Sequence, residues 1–188
     1  GVAQLVTGSG AVMGEWLKKT CLVDGVGFTG STAVGKKLME GGGAHLQHVF
    51  LELGGNDPYV VFDSADMDVA VSQAIGGRTW TAGQTCCANK RFLVQNNIRQ
   101  AFTERLVQGL REVKMGDPLQ EDTVVGPLIN EKQAKEVISQ IERTVAQGAR
   151  CILGGTRDGA FVSPTVLVDV TPDMDVAKDM EIFGPVFP

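Results

Sequence analysis

The sequence lacks the long apolar runs and the blocks of like charge that mark several classes of protein. No apolar run reaches the roughly 20 residues that a helix needs to cross a bilayer. The net charge of −5 is spread along the chain, which argues against partners such as nucleic acid or anionic membrane surfaces. What remains is ordinary globular composition, because 43% of the 188 residues are apolar and 21% are charged.

Cysteine and histidine are scarce as well. Four cysteines in a chain of this size form no disulfide framework. Cys21 and Cys151 lie in apolar runs, so we expect both to be small buried side chains. His45 and His48 have no third ligand cluster beside them, and we therefore predict no metal site. Reduced thiols, and an N-terminus without the basic segment of a signal peptide, predict a cytoplasmic location.

Short β-like runs alternate with helical ones, which predicts an α/β fold with a largely parallel sheet. The candidate strands are residues 3–6, 25–29, 48–53, 58–62, 92–95, 150–153 and 165–168. The candidate helices are residues 11–19, 32–40, 67–77, 98–114 and 131–147. Asp66 and Asn130 are expected to cap the third and fifth helices, and Gly148 is expected where the fifth helix ends.

Glycines and a proline follow an apolar strand in the segment GGNDP, residues 54–58. Such residues terminate regular structure and favour a turn between elements. We therefore predict a domain boundary here, with residues 1–53 in one domain and residues 54–188 in the next.

Two segments carry side chains that suggest covalent chemistry. Cys86 lies in AGQTCCANKR (82–91), and Glu52 lies in LELGG (51–55). A thiol and a carboxylate, each framed by small residues, fit a nucleophile with a separate base that activates water. Glu52 lies within an apolar strand, where a buried carboxylate must be ion-paired, pKa-shifted or functional; a structural ion pair is the alternative. We expect Cys87 to be structural, since neighbouring side chains diverge along a chain.

Two glycine-rich loops precede predicted helices, and each follows a predicted strand. They are TGSGAVMG (7–14) and FTGSTAVG (28–35). Glycine lets backbone N–H groups approach a pyrophosphate at a helix N-terminus, although plain strand–helix turns have the same composition.

These segments, together with EIFGPV (181–186), resemble the aldehyde dehydrogenase superfamily. The wording NDPYVV (56–61) and KRF (90–92) is most similar to the succinate-semialdehyde dehydrogenase branch. The resemblance implies the end of a Rossmann-type cofactor domain followed by the first part of an α/β catalytic domain. It also implies that the chain is a fragment, because the family's oxyanion asparagine and ribose-binding lysine would precede Gly1.

The resemblance assigns roles to individual residues. Cys86 would be the nucleophile and Glu52 the water-activating base, whose presence favours hydrolysis over transfer to coenzyme A. The residues implied to bind NAD or NADP are Gly10, Gly30, Ser31, Val34, Leu53, Glu181 and Phe183. The substrate would be a small aldehyde, and the full-length protein a homo-oligomer. A substrate carboxylate would want an arginine, for which Arg78 is a candidate, and Trp80 could line the substrate tunnel.

Two other interpretations stay open from the sequence. The chain could be an incomplete, non-catalytic domain that retains the motifs. It could also be a thiol-redox protein that uses Cys86 and Cys87, although the Cys-x-x-Cys spacing of such proteins is absent.

Overall fold

The computed structural model describes residues 1–188 and divides into two units, Gly1–Gly54 and Gly55–Pro188. The division falls at the glycine pair that follows Leu53. The domain identities, a cofactor-binding part and a catalytic part, stay predictions. None of the helices is both long and apolar enough to span a membrane.

The first unit consists of two helices and two parallel strands. They are α1 (Gly10–Lys19), β1 (Gly25–Gly30), α2 (Thr32–His45) and β2 (His48–Leu53). The strands pair in register from Gly25 opposite His48 to Gly30 opposite Leu53. Helix α2 packs closely on β2, because a Cβ added at Gly35 would lie 2.7 Å from a Leu53 methyl group. The glycine therefore permits close helix–strand contact.

The strand predicted at residues 3–6 is wrong. Residues 1–9 are irregular, and Leu5 is 90% exposed. A strand exists only where a neighbouring strand pairs its N–H and C=O groups, and in this unit β1 and β2 pair only with each other. Apolar composition alone therefore does not form a strand here.

The second unit is larger and contains a mixture of parallel and antiparallel pairings. Its first half contains β3 (Pro58–Val61), α3 (Met67–Thr79), a 3₁₀ turn (Trp80–Gly83), β4 (Arg91–Val94) and α4 (Arg99–Arg111). Its second half contains α5 (Glu131–Ala146), β5 (Arg150–Leu153), β6 (Arg157–Asp158), β7 (Phe161–Val162), β8 (Thr165–Val168), a 3₁₀ turn (Asp175–Ala177) and β9 (Val186–Phe187). The α/β prediction is confirmed.

The strand order shows where the parallel prediction holds. The pairs β3–β4 and β8–β9 are parallel, whereas β5–β8 and β6–β7 are antiparallel. Short connections between β5 and β8 leave no room for a crossover helix, so these strands must pair antiparallel.

Helix ends in this unit follow the predicted chemistry. The Asp66 carboxylate accepts the N–H groups of Asp68 and Val69, and the Asn130 side chain accepts that of Gln133. Gly148 follows α5 with a φ of +116°, a conformation that favours glycine. All three predicted helix ends are confirmed.

Two apolar clusters form the core of the second unit. One gathers around α5, with Val137 and Ile141 buried against Val186 and Ile182. The other lies between α3 and α4 and includes Phe102. Both helices that flank the segment 80–91 are thus held by buried apolar contacts.

Candidate active site

The backbone reverses sharply between α3 and the cysteine segment. Thr81 and Ala82 have left-handed φ values of 50° and 54°, and Gly83 follows at 74°. Side chains other than glycine rarely adopt this conformation, so two in succession indicate a backbone that its surroundings hold in place. A Cβ at Gly83 would collide with the carbonyl oxygen of Gly184. The Gln84 side chain donates to the Thr81 carbonyl oxygen at 3.1 Å and closes the reversal.

The reversal leads into a turn that carries both neighbouring cysteines. The Ala88 N–H group donates to the Thr85 carbonyl oxygen at 3.2 Å. Cys86 and Cys87 are exposed on this turn, and neither is in a disulfide. An exposed thiol on a backbone held in place can be reached by a substrate, as a nucleophile must be.

Lys90 lies beneath the same turn, and its side chain is 1% exposed. Its Nζ donates to the carbonyl oxygens of Cys86 and, at 3.5 Å, Ala88. The ammonium also lies 3.2 Å from Oε1 of Glu181, whose side chain is 24% exposed. Within the second unit, Lys90 thus brings together the predicted nucleophile and one of the predicted cofactor ligands.

Arg78 is fully buried and contradicts the role considered for it. Its Nε donates to the Val186 carbonyl oxygen at 2.7 Å, and its Nη2 to that of Ile182 at 2.6 Å. Burial lowers the pKa of the guanidinium to about 10, with the nearby Glu181 carboxylate acting in the opposite direction. Arg78 therefore holds the segment 181–186 and does not face a substrate. Trp80, in contrast, is exposed.

Two further side chains, from the segments NDPYVV (56–61) and KRF (90–92), hold a loop in place. The Asn56 amide donates to the carbonyl oxygens of Val176 and Lys178, at 2.9 and 2.7 Å. Arg91 donates from Nε to the Asn56 carbonyl oxygen at 2.6 Å. These contacts are structural.

In the first unit, four predicted site residues meet at one end of the sheet. Thr29 pairs with Glu52, and Gly30 pairs with Leu53, directly before Ser31 caps α2. Parallel strands place their carboxyl ends at one edge, and ligands bind at such edges in α/β folds.

The expectation that the Glu52 carboxylate is buried is wrong. Its side chain is exposed, as are those of His48 and Phe50, which alternate with it along β2. Helix α2 covers only the face that carries Val49, Leu51 and Leu53. An apolar strand can expose every second residue when one face of its sheet is open.

The start of α2 fits a dinucleotide pyrophosphate. The first N–H groups of a helix have no partners within it, and here they follow a glycine at the end of a strand. The Ser31 hydroxyl accepts the Val34 N–H group at 3.4 Å, and the Val34 side chain is 40% exposed. Gly10 also begins a helix, but the irregular residues before it do not form the predicted strand.

The remaining predictions concern metals and thiols. No group of three or more histidine, cysteine or acidic side chains is placed to hold a metal ion. His45 and His48 are exposed. Cys21 and Cys151 are exposed as well, so the expectation of buried thiols is wrong. The apolar neighbours Leu22 and Ile152 are exposed too, so an apolar run in the sequence does not by itself indicate burial.

Sequence reasoning missed the burial of Arg78, which it considered for the substrate, and missed Lys90 altogether. A lysine next to small residues in the cysteine segment was the only available signal. Lysine is almost never fully buried unless it is paired, and its partner Glu181 is remote in the sequence.

Comparison with known proteins identifies the family. The whole chain, residues 1–188, matches the aldehyde dehydrogenase family. It is 42% identical to the NADP⁺ succinate-semialdehyde dehydrogenase of Escherichia coli and 42% identical to a betaine aldehyde dehydrogenase of Brucella anthropi. These matches cover 100% and 99% of the chain. A crystal structure of an NAD-dependent aldehyde dehydrogenase from Sinorhizobium meliloti is 44% identical, with a TM-score of 0.92 over 97% of this chain.

Each relative is much longer than this chain. The chain spans 39% of both enzymes matched by sequence and 37% of the Sinorhizobium chain. The relatives include succinate-semialdehyde dehydrogenases, as the wording predicted, and betaine aldehyde dehydrogenase is equally similar. Both kinds of relatives belong to one family, and the match over residues 1–188 shows that this chain belongs to the aldehyde dehydrogenase family.

Proposed function

We propose that the protein oxidises an aldehyde to its carboxylic acid, with NAD or NADP as the hydride acceptor and Cys86 as the nucleophile. The observation that carries this proposal is the exposed Cys86 thiol on a turn fixed by left-handed backbone and by the buried Lys90. Membership of the aldehyde dehydrogenase family supports it. Because the chain spans 39% of its matched relatives, the proposal concerns the whole protein.

The chemistry follows from the nucleophile. The Cys86 thiolate adds to the aldehyde carbon and forms a thiohemiacetal. Hydrogen-bond donors stabilise the oxyanion of this intermediate. NAD or NADP, when bound, supplies the hydride acceptor. Loss of the hydride leaves an acyl group on the Cys86 sulfur as a thioester. Glu52 takes a proton from water, which attacks the thioester and releases the acid and the thiol.

We propose cofactor contacts in each unit separately. In the first, Gly30 and Ser31 offer the start of α2 to the pyrophosphate, and Val34 offers an apolar contact to the adenine. Gly10 and Leu53 complete this set in the proposal. In the second, the partly exposed Glu181 carboxylate would accept hydrogen bonds from the hydroxyl groups of the nicotinamide ribose. Phe183 would pack near the nicotinamide.

For the substrate, we propose succinic semialdehyde first. The motif wording and the identity of 42% to a succinate-semialdehyde dehydrogenase support it. Betaine aldehyde is the matched competitor, since it carries a positive charge in place of a carboxylate and its dehydrogenase is equally similar. The ratio of kcat/KM for these two aldehydes decides between them.

The test uses the protein expressed from its own gene, with formation of reduced nicotinamide as the readout. We expect Cys86→Ala to lower kcat by at least about a thousandfold, because no other group replaces the nucleophile. Cys87→Ser is the control, with activity close to that of the unsubstituted protein. Glu52→Gln should slow thioester hydrolysis by about a hundredfold or more and spare the first burst of reduced nicotinamide.

Four results would oppose the proposal. Activity that survives Cys86→Ala would exclude this nucleophile, and an unchanged steady-state rate for Glu52→Gln would exclude this base. Loss of activity in Cys87→Ser comparable to that of Cys86→Ala would favour thiol-redox chemistry. A protein without any aldehyde oxidation would instead be a domain that retains the motifs without turnover.

A further inference from the structure

The second unit contains two buried cations that the proposed reaction does not use. Arg78 is 0% exposed and the Lys90 side chain is 1% exposed. Charges removed from water are costly unless they are paired and hydrogen-bonded. A methionine could fill the volume of Lys90 without that cost. Packing alone therefore does not explain why a charged ammonium group is buried at this position.

The contacts of Lys90 connect two functional segments. Its Nζ donates to the carbonyl oxygens of Cys86 and Ala88, both within the cysteine turn. The same ammonium lies 3.2 Å from Oε1 of Glu181. One buried charge thus contacts the backbone of the proposed nucleophile and the side chain of the proposed ribose ligand.

The backbone around Glu181 is held independently of Lys90. Arg78 donates to the carbonyl oxygens of Ile182 and Val186, and the Gln140 amide donates to that of Glu181 at 3.1 Å. The main chain of this segment is therefore fixed by Arg78 and Gln140. Lys90 forms an ion pair with the Glu181 carboxylate; Oε1 of Glu181 is buried and accepts no hydrogen bond, while the side chain as a whole is 24% exposed.

We propose that Lys90 is a positioning residue that links the Cys86 turn to Glu181, so that the nucleophile and the ribose-binding carboxylate are held in one arrangement. This inference rests on the proposed function. The ammonium holds one carboxylate oxygen and leaves the exposed part of the carboxylate for a diol. It also fixes the peptide that follows Cys86, and with it the direction of the thiol. Lys90 acts through these two residues and touches no reacting atom.

The experiment compares Lys90→Met, Glu181→Gln and the double variant in the protein expressed from its own gene. Lys90→Met should raise the KM for the nicotinamide cofactor and lower kcat, each by about tenfold, because it releases both ends of the link. Glu181→Gln should raise the cofactor KM and affect kcat less. The double variant should show a cofactor KM close to that of Glu181→Gln alone, since coupled residues are not additive.

A second measurement does not depend on catalysis. Hydrogen exchange of the Ala88 amide, which closes the cysteine turn, should accelerate about tenfold in Lys90→Met, while amides of α5 keep their rates. Lys114→Met is the matched control, because Lys114 is a half-exposed lysine whose partner, Asp122, lies at the surface. Its kinetic constants and its Ala88 exchange should equal those of the unsubstituted protein.

The outcomes separate this inference from the proposed function. If the unsubstituted protein oxidises aldehydes but Lys90→Met keeps its kcat and cofactor KM, the positioning role is wrong and the function stands. If exchange accelerates throughout the second unit while the kinetic constants hold, Lys90 is merely structural. If no aldehyde is oxidised, the function fails, and local acceleration at Ala88 alone decides whether Lys90 holds the turn.

Discussion

At the scale of single residues, the cysteine turn depends on backbone conformations that few side chains tolerate. Gly83 has a φ of 74°, and its α-carbon lies against the carbonyl group of Gly184. Sequence reasoning recognised Gly83 as part of the motif through resemblance. The tertiary structure shows why the position requires glycine: Gly184, remote in the sequence, packs against it and leaves no space for a Cβ.

We predict that Gly83→Ala destabilises the protein by at least about 2–3 kcal/mol, because alanine is strained at this φ and its methyl group meets fixed backbone. The control is Gly76→Ala, at an exposed position within α3 where an added Cβ meets nothing within 4 Å. It should be neutral or stabilising by up to about 1 kcal/mol. Urea denaturation measures both, and equal effects would show that Gly83 is not constrained.

At the scale of elements, the C-terminal end of α5 is joined to the 3₁₀ turn Asp175–Ala177 by a reciprocal pair of hydrogen bonds. The Gln147 amide donates to Asp175 Oδ2 at 2.6 Å and accepts the Asp175 N–H group at 3.0 Å. Arg143 lies 2.5 Å from the same carboxylate oxygen. These contacts hold the pKa of the Asp175 carboxyl below its ordinary value of 3.8, with the Gln147 hydrogen bond as the main cause and Arg143 adding to it.

The sign of the pH dependence follows from that lowered pKa. The contribution of Asp175 to stability is present above pH 3.8 and is lost as the pH falls through the lower folded-state pKa. Asp175→Asn should therefore lower the melting temperature at neutral pH and lose this effect in strong acid. Asp173→Asn, in the same loop and without an ion-pair partner, should change little at either pH. A difference that persists undiminished in acid would contradict the assignment.

At the scale of the whole molecule, the two units differ in how much apolar surface they bury. In the first, Val26 and Leu38 are the only buried apolar side chains, while Val2, Leu5 and Phe50 are exposed. In the second, two clusters of buried residues surround α5 and fill the space between α3 and α4. Stability within a protein follows buried apolar contact, so the units should open with different free energies.

We predict that amides of α1 and α2 exchange with solvent at least about tenfold faster than those of α4 and α5 in the 188-residue chain, since fewer buried contacts oppose their opening. Hydrogen exchange followed by mass spectrometry measures this. Equal protection in the two units would contradict the prediction.

The helices were predictable because each follows from local signals. Asp66 and Asn130 as caps and Gly148 as a terminator act within one turn of chain, and all are as expected. Strands depend on partners outside themselves, which is why residues 3–6 were predicted wrongly and β9, which pairs with β8, was missed. β6 and β7 pair with each other, but two residues are too few for a recognisable alternating pattern. The burial of individual side chains was also mispredicted. Glu52 is exposed although it lies in an apolar strand, and Arg78 is buried although it carries a charge.

By itself, the sequence determined the family, the α/β class, the helix positions and Cys86 as the candidate nucleophile, because motif wording and capping are properties of short segments. Only the tertiary structure decided that Arg78 is buried, that Glu52 is exposed and that Lys90 contacts both Cys86 and Glu181. The reason is physical. Burial and ion pairing depend on which distant segments pack together, and that is settled only when the whole chain has folded.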